Sequence, residues 1–274
     1  RNWIIFSEII RIIWLNELNY ILLSPDFFKS SFEVTCFLLF IVCFFHSYSK
    51  YGFQKTFREF LAGFILSAGC ENLGVLSGAY VYPGFHFYVF EIPLVNPLSW
   101  IALVYLVMEI TNRLFPLKDR RFLLYVIIVS LIDSTLALSV DLMMDPLATI
   151  YNWWIWVPVD QAYITEDVVN PYNFDLITHM TTPENPISMY FENVFSENRY
   201  PTRLFGIPLI NFIAWFVFVF VFSIQFRWIE SKISWSHYKK LTYLLLLILI
   251  EIPILGITLI TPNIWLVLKK YGII

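Results

Sequence analysis

Apolar runs of about the length of a membrane crossing recur along the chain, and that recurrence constrains the fold more than any motif. Roughly 20 apolar residues in a helix span the hydrocarbon of a bilayer. Such runs lie at Phe32 to Tyr48, about Phe57 to Ala79, Leu98 to Leu114, Arg121 to Met144, about Leu204 to Trp228, and Leu241 to Ile260. Residues 3 to 23 are also apolar, but Glu8, Arg11, Asn16, Glu17 and Asn19 interrupt them. That fits an interfacial or packed helix better than a lipid-facing span, a first crossing being the alternative. A last piece, Ile264 to Leu268, is too short to cross. With 58% hydrophobic and 14% charged residues, a soluble domain is excluded. The expected fold is all-α, a polytopic transmembrane bundle of about six to eight helices in one integral-membrane domain over residues 1–274.

Charge and metal-ligand patterns narrow the function. A net charge of −3 and the lack of a basic run argue against a nucleic-acid partner. Cys36, Cys43 and Cys70 fall in apolar segments without paired spacing, which implies neither a disulfide framework nor a metal site. His46, His86, His179 and His237 are scattered and form no HxxxH or HxxE pattern, so zinc or di-iron chemistry is not expected.

The informative exceptions are acids inside the apolar runs. LIDSTLALSVDLMMDPLATIYNWWIW, Leu131 to Trp156, carries Asp133 and Asp141 within a helix, Asp145-Pro146 at its expected end, and Trp153, Trp154 and Trp156 just beyond. Glu71, followed by Asn72, sits in the second half of the second run among Gly63, Gly69, Gly74 and Gly78, small residues that let helices approach closely. An acid in a membrane span without a nearby Lys or Arg is costly and points to a functional site. Bland readings stand beside each. Asp145-Pro146 terminates the helix at the interface, Glu71 bonds a partner helix, Asp133 bonds a neighbouring Ser or Thr, and the tryptophans form an interfacial belt. Glu109 has Arg113 one turn away, which reads as a salt bridge. Glu251, before Pro253, either satisfies freed backbone donors or holds a proton.

Topology follows from the basic residues, since cytoplasmic loops retain Lys and Arg. Connections 48–58, 112–121 and 227–240 hold three, four and four of them, whereas 80–97 holds none and 145–203 holds two. The first three are expected on the cytoplasmic side of the cell membrane. The aromatic, proline-bearing connection 80–97 and a long acidic extramembrane loop, 145–203, then face outward. This ordering puts Glu71, Glu91, Trp100, Asp141, Asp145 and Trp153 to Trp156 in one outer half of the membrane.

Four blocks in order, ENLGVLSGAYVYPGF, EIPLVNPLSWIALVYLVMEITNR, VDLMMDPLATIYNWWIW and FGIPLINFIAWF, resemble the carotenoid biosynthesis integral-membrane family that contains the acyclic carotenoid hydratases and bisanhydrobacterioruberin hydratase. The likeness covers roughly Glu71 to Trp215, and the stretch Val157 to Leu204 is longer than the family's connection. The resemblance implies that water adds across a terminal double bond of an acyclic C40 or C50 polyene, a lipid-soluble substrate met within membrane lipids, with no redox cofactor.

That chemistry suits the residues. Protonating a trisubstituted alkene needs a carboxyl that keeps its proton, as low-dielectric surroundings favour. The tertiary cation formed is stabilised by aromatic faces, for which Tyr80, Tyr82, Trp153, Trp154 and Trp156 are candidates, and Trp100 is expected to contact substrate. Asp141 and Asp145, four residues apart, share a helix face and can divide acid and base roles. Asp141 and Glu71 are expected as proton donor and partner and Asp145 as the water-orienting base. Glu91, Asp133 and Asn211 are expected to contact substrate, Asn211 by bonding an acid across the bundle. Two other classes fit the same acids. A lycopene-type cyclase uses the same acid-initiated cation, but its acid motif is matched only weakly, by Thr182-Pro183-Glu184-Asn185. A non-enzymatic carrier or transporter of lipophilic molecules is disfavoured by the absence of an inverted repeat.

Overall fold

A computed structural model describes residues 25–76, 80–116, 122–150, 153–156, 203–204 and 207–270. Expectations for residues 3 to 23 and for most of the loop before Arg203, including Thr182 to Asn185, lie outside the described residues. Six helices are described: α1 (Pro25–Tyr51), α2 (Phe53–Leu76), α3 (Val95–Leu114), α4 (Phe122–Ile150), α5 (Leu209–Glu230) and α6 (His237–Lys270). Four of them, α1, α2, α4 and α5, are long and apolar enough to cross a membrane. The all-α membrane-helical fold expected from the sequence is the one observed.

The helix neighbours are α1 with α2 and α3, α2 with α3 and α6, α3 with α4, α4 with α5, and α5 with α6. The core lies between α2, α3, α5 and α6, where Leu66, Ile101, Val104, Phe222, Leu244 and Ile248 are fully buried. α3 supplies the centre of this core although it carries Asn96, Glu109 and Arg113. Its neighbours turn apolar stripes outward instead. Val34, Phe37, Leu38, Val42 and Phe45 on α1, and Leu124, Ile128 and Leu131 on α4, are exposed at helical spacing. Only a hydrocarbon solvent makes such surfaces inexpensive, and the chain is a membrane protein.

Of the small residues expected to let helices approach, Gly63 and Gly69 of α2 do so, Gly74 meets Tyr80 instead, and Gly78 lies outside the described residues. A Cβ on Gly63 would strike the Ile101 side chain of α3, and one on Gly69 would lie 2.6 Å from Ile252 Cδ1 of α6. Both neighbours therefore pack at a separation that only glycine permits. Between α1 and α2 the chain reverses at Gly52 (φ +78°), whose N–H donates to Tyr48 O at 2.9 Å, an αL helix cap.

Several boundaries differ from expectation. α1 begins at Pro25, because a proline in the first turn lacks only an N–H that has no helical partner. α4 does not end at Asp145-Pro146 but continues to Ile150. Thr149 Oγ1 donates to Asp145 O (2.9 Å) and Trp153 N–H to Ala148 O (2.8 Å), and these bonds hold the turn beyond the proline. The connection expected to form the outer loop thus starts later than residue 145. The piece Ile264 to Leu268 is no separate segment, since α6 runs unbroken from His237 through Pro253 to Lys270.

The connection between α2 and α3 is short β-structure. β1 (Tyr80–Val81) pairs antiparallel with β4 (Ile155–Trp156), and β2 (Tyr88–Val89) forms a hairpin with β3 (Ile92–Pro93). β5 (Arg203–Leu204) and β6 (Ile207–Pro208) pair just before α5. Phe90, at the hairpin turn, adopts φ 58°, a conformation that disfavours side chains. Asn72 of α2 holds this turn. Its Oδ1 accepts the Glu91 N–H (2.9 Å), and its Nδ2 donates to Ala68 O (2.7 Å) and Val89 O (3.3 Å). α1 fastens the other side, Lys29 Nζ donating to Pro83 O (2.7 Å) and Glu33 accepting the His86 N–H (3.0 Å). The connection is thereby fixed over one end of the bundle.

Candidate active site

At that end, residues from five helices and the β-connection surround one pocket. Its lining includes Phe32 of α1, Ser67 and Glu71 of α2, Tyr80 and Tyr82, Asn96, Ser99 and Trp100 of α3, Asp145 of α4, Trp154, and Asn211 and Trp215 of α5. About 60 Å³ is open to the centres of water-sized molecules, room for a few waters at roughly 10–15 Å³ each.

Glu71 is held by two phenols. Tyr80 and Tyr82 both donate to its Oε2, at 2.8 and 2.6 Å, and the two rings meet edge to face at 5.4 Å. β1 brings both tyrosines here because its pairing with β4 fixes Tyr80 opposite Trp156. Burial, and then the neighbouring Glu71 charge, push the Tyr82 phenol well above its usual range, so it remains a donor. Gly74, one turn after Glu71, leaves the space that the Tyr80 ring occupies.

The second carboxyl group comes from α4. Asp141 and Asp145 are both buried, one turn apart on a single face, and their carboxyls contact each other. Asn211 of α5 bridges them, its Nδ2 donating to Asp145 Oδ2 and lying 3.4 Å from Asp141 Oδ2. This is the cross-bundle bond expected of Asn211. Only Asp145 faces the pocket, and Asp141 lies behind it.

Aromatic side chains make the remaining wall. Trp154 meets Tyr82 edge to face at 5.9 Å, and Trp100 lies 6.4 Å from Trp215. Trp153 does not line the pocket but stacks on Phe32 at 4.5 Å, supporting the wall from behind. The side chain of Trp156 lies outside the described ones, its backbone serving the pairing with Tyr80.

Two residues expected to contact substrate lie away from this pocket. Asp133 is not in the pocket. It is buried against Arg227 of α5, whose guanidinium also bonds Ser130 Oγ (3.2 Å) and Asn112 Oδ1 (3.1 Å), so its charge has a structural partner 94 residues away. Glu91 is exposed and contributes its backbone N–H to Asn72 rather than a carboxylate to the site. Elsewhere, the Glu109–Arg113 bridge forms at 2.7 Å and extends to Lys50 and Tyr51. Glu251 is buried near Gln225, not at backbone donors.

Sequence reasoning missed Phe32, Ser67, Asn96, Ser99 and Trp215. Ser67 and Trp215 were within reach, each standing four residues from a candidate on the same helix, Glu71 and Asn211. Phe32 had no signal, because nothing local links α1 to the tryptophan block.

Residues 32–164 match the family model described as "Carotenoid biosynthesis protein". The match bears out, over that stretch, the resemblance to a carotenoid biosynthesis membrane family. It includes every pocket residue named above except Asn211 and Trp215, which α5 supplies. Neither the curated proteins nor the solved structures yield a match.

Proposed function

We propose that this chain is a carotenoid hydratase, a multi-pass protein of the cell membrane that adds water to the terminal double bond of an acyclic C40 or C50 polyene. One observation carries the reading: carboxyls from separate helices, Glu71 and Asp145, face a single water-sized pocket walled by Trp100, Trp154, Trp215 and Phe32. The family match supports the polyene class.

The reaction needs one proton delivered, one cation sheltered and one proton removed. The Asp145 carboxyl, facing the pocket, transfers its proton to the terminal alkene carbon, leaving a tertiary cation and a carboxylate. Asp141 lies behind it, and Asn211, which donates to both aspartates, holds the pair in place. The indole faces of Trp100, Trp154 and Trp215 stabilise the cation electrostatically. A water attacks the cation, and its surplus proton passes to Oε1 of Glu71, the carboxylate oxygen that the two phenols on Oε2 leave free, and returns through pocket water to Asp145 for the next turnover. The sum is alkene plus water giving a tertiary alcohol, with no change of oxidation state to supply. The sequence suggested Asp141 and Glu71 as proton donor and partner and Asp145 as base; in this reading Asp145 is the donor and Glu71 the base, because Asp145 is the aspartate that reaches the pocket.

The empty space is water-sized rather than polyene-sized, so entry of the chain end requires Phe32 and Trp154 to turn aside. Ser67, Asn96, Ser99 and Asn211 give the pocket a polar side that can hold water beside the cation, which favours hydration over ring closure. Expression in a bacterium that makes an acyclic carotenoid tests the reading. A product heavier by one water supports it. A ring-closed product of unchanged mass identifies a cyclase, and unaltered pigment rejects both.

A further inference from the structure

The opposite end of the bundle, where α1 turns into α2 at Gly52 and α5 ends at Glu230, holds a second, larger space, of about 300 Å³, between α2, α3, α4 and α5. Its polar lining includes Lys55, Glu59, Glu109, Asn112, Arg227 and Glu230. Most of these charges are already paired: Glu109 with Lys50 and Arg113, Glu230 with Arg58 and Lys240, and Arg227 with Asp133. Two are not. Among the described residues, Glu59 is only 3% exposed yet has no hydrogen bond or ion pair. Lys55, one turn earlier on α2, forms no ion pair either, its Nζ lying 3.6 Å from the centre of the Tyr51 ring. A carboxylate buried without donors is expensive unless a ligand or water supplies them.

A cation and an anion one turn apart that line the same cavity, near enough to attract each other but not bonded, leave room for a ligand carrying the opposite pair. The geometry points to a site for the amine–phosphate headgroup of a membrane lipid, its ammonium on Glu59 and its phosphate on Lys55. An amine bearing hydrogens satisfies the empty acceptors of Glu59, which a fully methylated amine does not. An anionic glycerol headgroup leaves Glu59 without a cation. Met108, Val126 and Phe226 give the same space a buried apolar floor, and half-buried Phe122 lines it beside Leu123 and Leu124, which are exposed on the apolar surface of α4. The free headgroup offers the same charges, and the lipid is favoured because this apolar lining has no use for a wholly polar molecule.

The test is native mass spectrometry of the full chain exchanged into mixed micelles with equal amounts of phosphatidylethanolamine, phosphatidylcholine and phosphatidylglycerol of identical acyl chains. Retention of the ethanolamine lipid at least about tenfold over each of the others is expected. Glu59→Gln and Lys55→Met should each bring retention towards parity. Equal retention of the three lipids by the unmodified protein overturns the proposal whether or not the variants fold. Binding of water-soluble glycerophosphoethanolamine without retention of the lipid also overturns it, by identifying a soluble source.

Discussion

Gly74→Ala tests the arrangement of the carboxyl at Glu71 without removing any polar atom. The added Cβ would stand 2.5 Å from Tyr80 Cζ and 2.8 Å from Cε1, and closer still to Oη. Carbon atoms in contact prefer about 3.5–4.0 Å, so the ring must withdraw by roughly 1 Å. The strand pairing of Tyr80 with Trp156 prevents the backbone from simply following. The Tyr80 Oη to Glu71 Oε2 bond, 2.8 Å, then stretches beyond hydrogen-bond range. A hydrogen bond to a charged group is worth about 1.5–3 kcal/mol. If it acts fully in the transition state, its loss lowers turnover roughly 10- to 150-fold. The assay is conversion of an acyclic polyene by protein in membranes, read by mass spectrometry and normalised to folded protein. Tyr80→Phe removes the same hydroxyl without adding a methyl and should give a similar loss. Folded Gly74→Ala protein with unimpaired turnover would refute the reasoning, as would a silent Tyr80→Phe.

Asp145→Asn should lower hydration by about 10²–10⁴-fold, the usual contribution of a general acid, while the protein stays in the membrane; turnover within a few-fold of normal removes Asp145 from the chemistry. Trp154→Ala should cost roughly 30-fold, the equivalent of about 2 kcal/mol of desolvated cation–π stabilisation, and Trp154→Phe less; equal activity of the two variants argues against a cation beside this ring. Arg227→Met strands the Asp133 carboxylate in the core and should destabilise the fold by about 3–5 kcal/mol, seen as an earlier thermal unfolding transition in detergent. Adding Asp133→Leu to that variant should recover much of the loss, and no recovery would show that the pair is not the cause.

The sequence shows the bundle plainly because a bilayer demands long apolar helices, and runs such as Leu204 to Trp228 have no other use. Helix ends are less legible. Asp145-Pro146 reads as a stop, yet bonds from Thr149 and Trp153 carry α4 past it, and those depend on partners a local pattern does not display. The site was legible where chemistry is costly, at Glu71, Asp141 and Asp145, since acids in hydrocarbon need a reason to be there. It was misleading at Asp133, whose cation comes from α5. The rule that an acid lacks a nearby Lys or Arg can only be applied along one helix, and ion pairs in a bundle form across helices. The division between Asp145 at the pocket and Asp141 behind it depends on the rotation of α4 against α5, which spacing alone leaves open.

The most direct measurement places purified protein and an acyclic polyene in heavy-oxygen water and follows the new oxygen. An alcohol carrying the heavy isotope, formed by the unmodified chain and lost in Asp145→Asn, is the result predicted by water entering at the pocket between Glu71 and Asp145. Unlabelled or unchanged polyene, or labelled alcohol formed equally well by the Asp145→Asn variant, contradicts it.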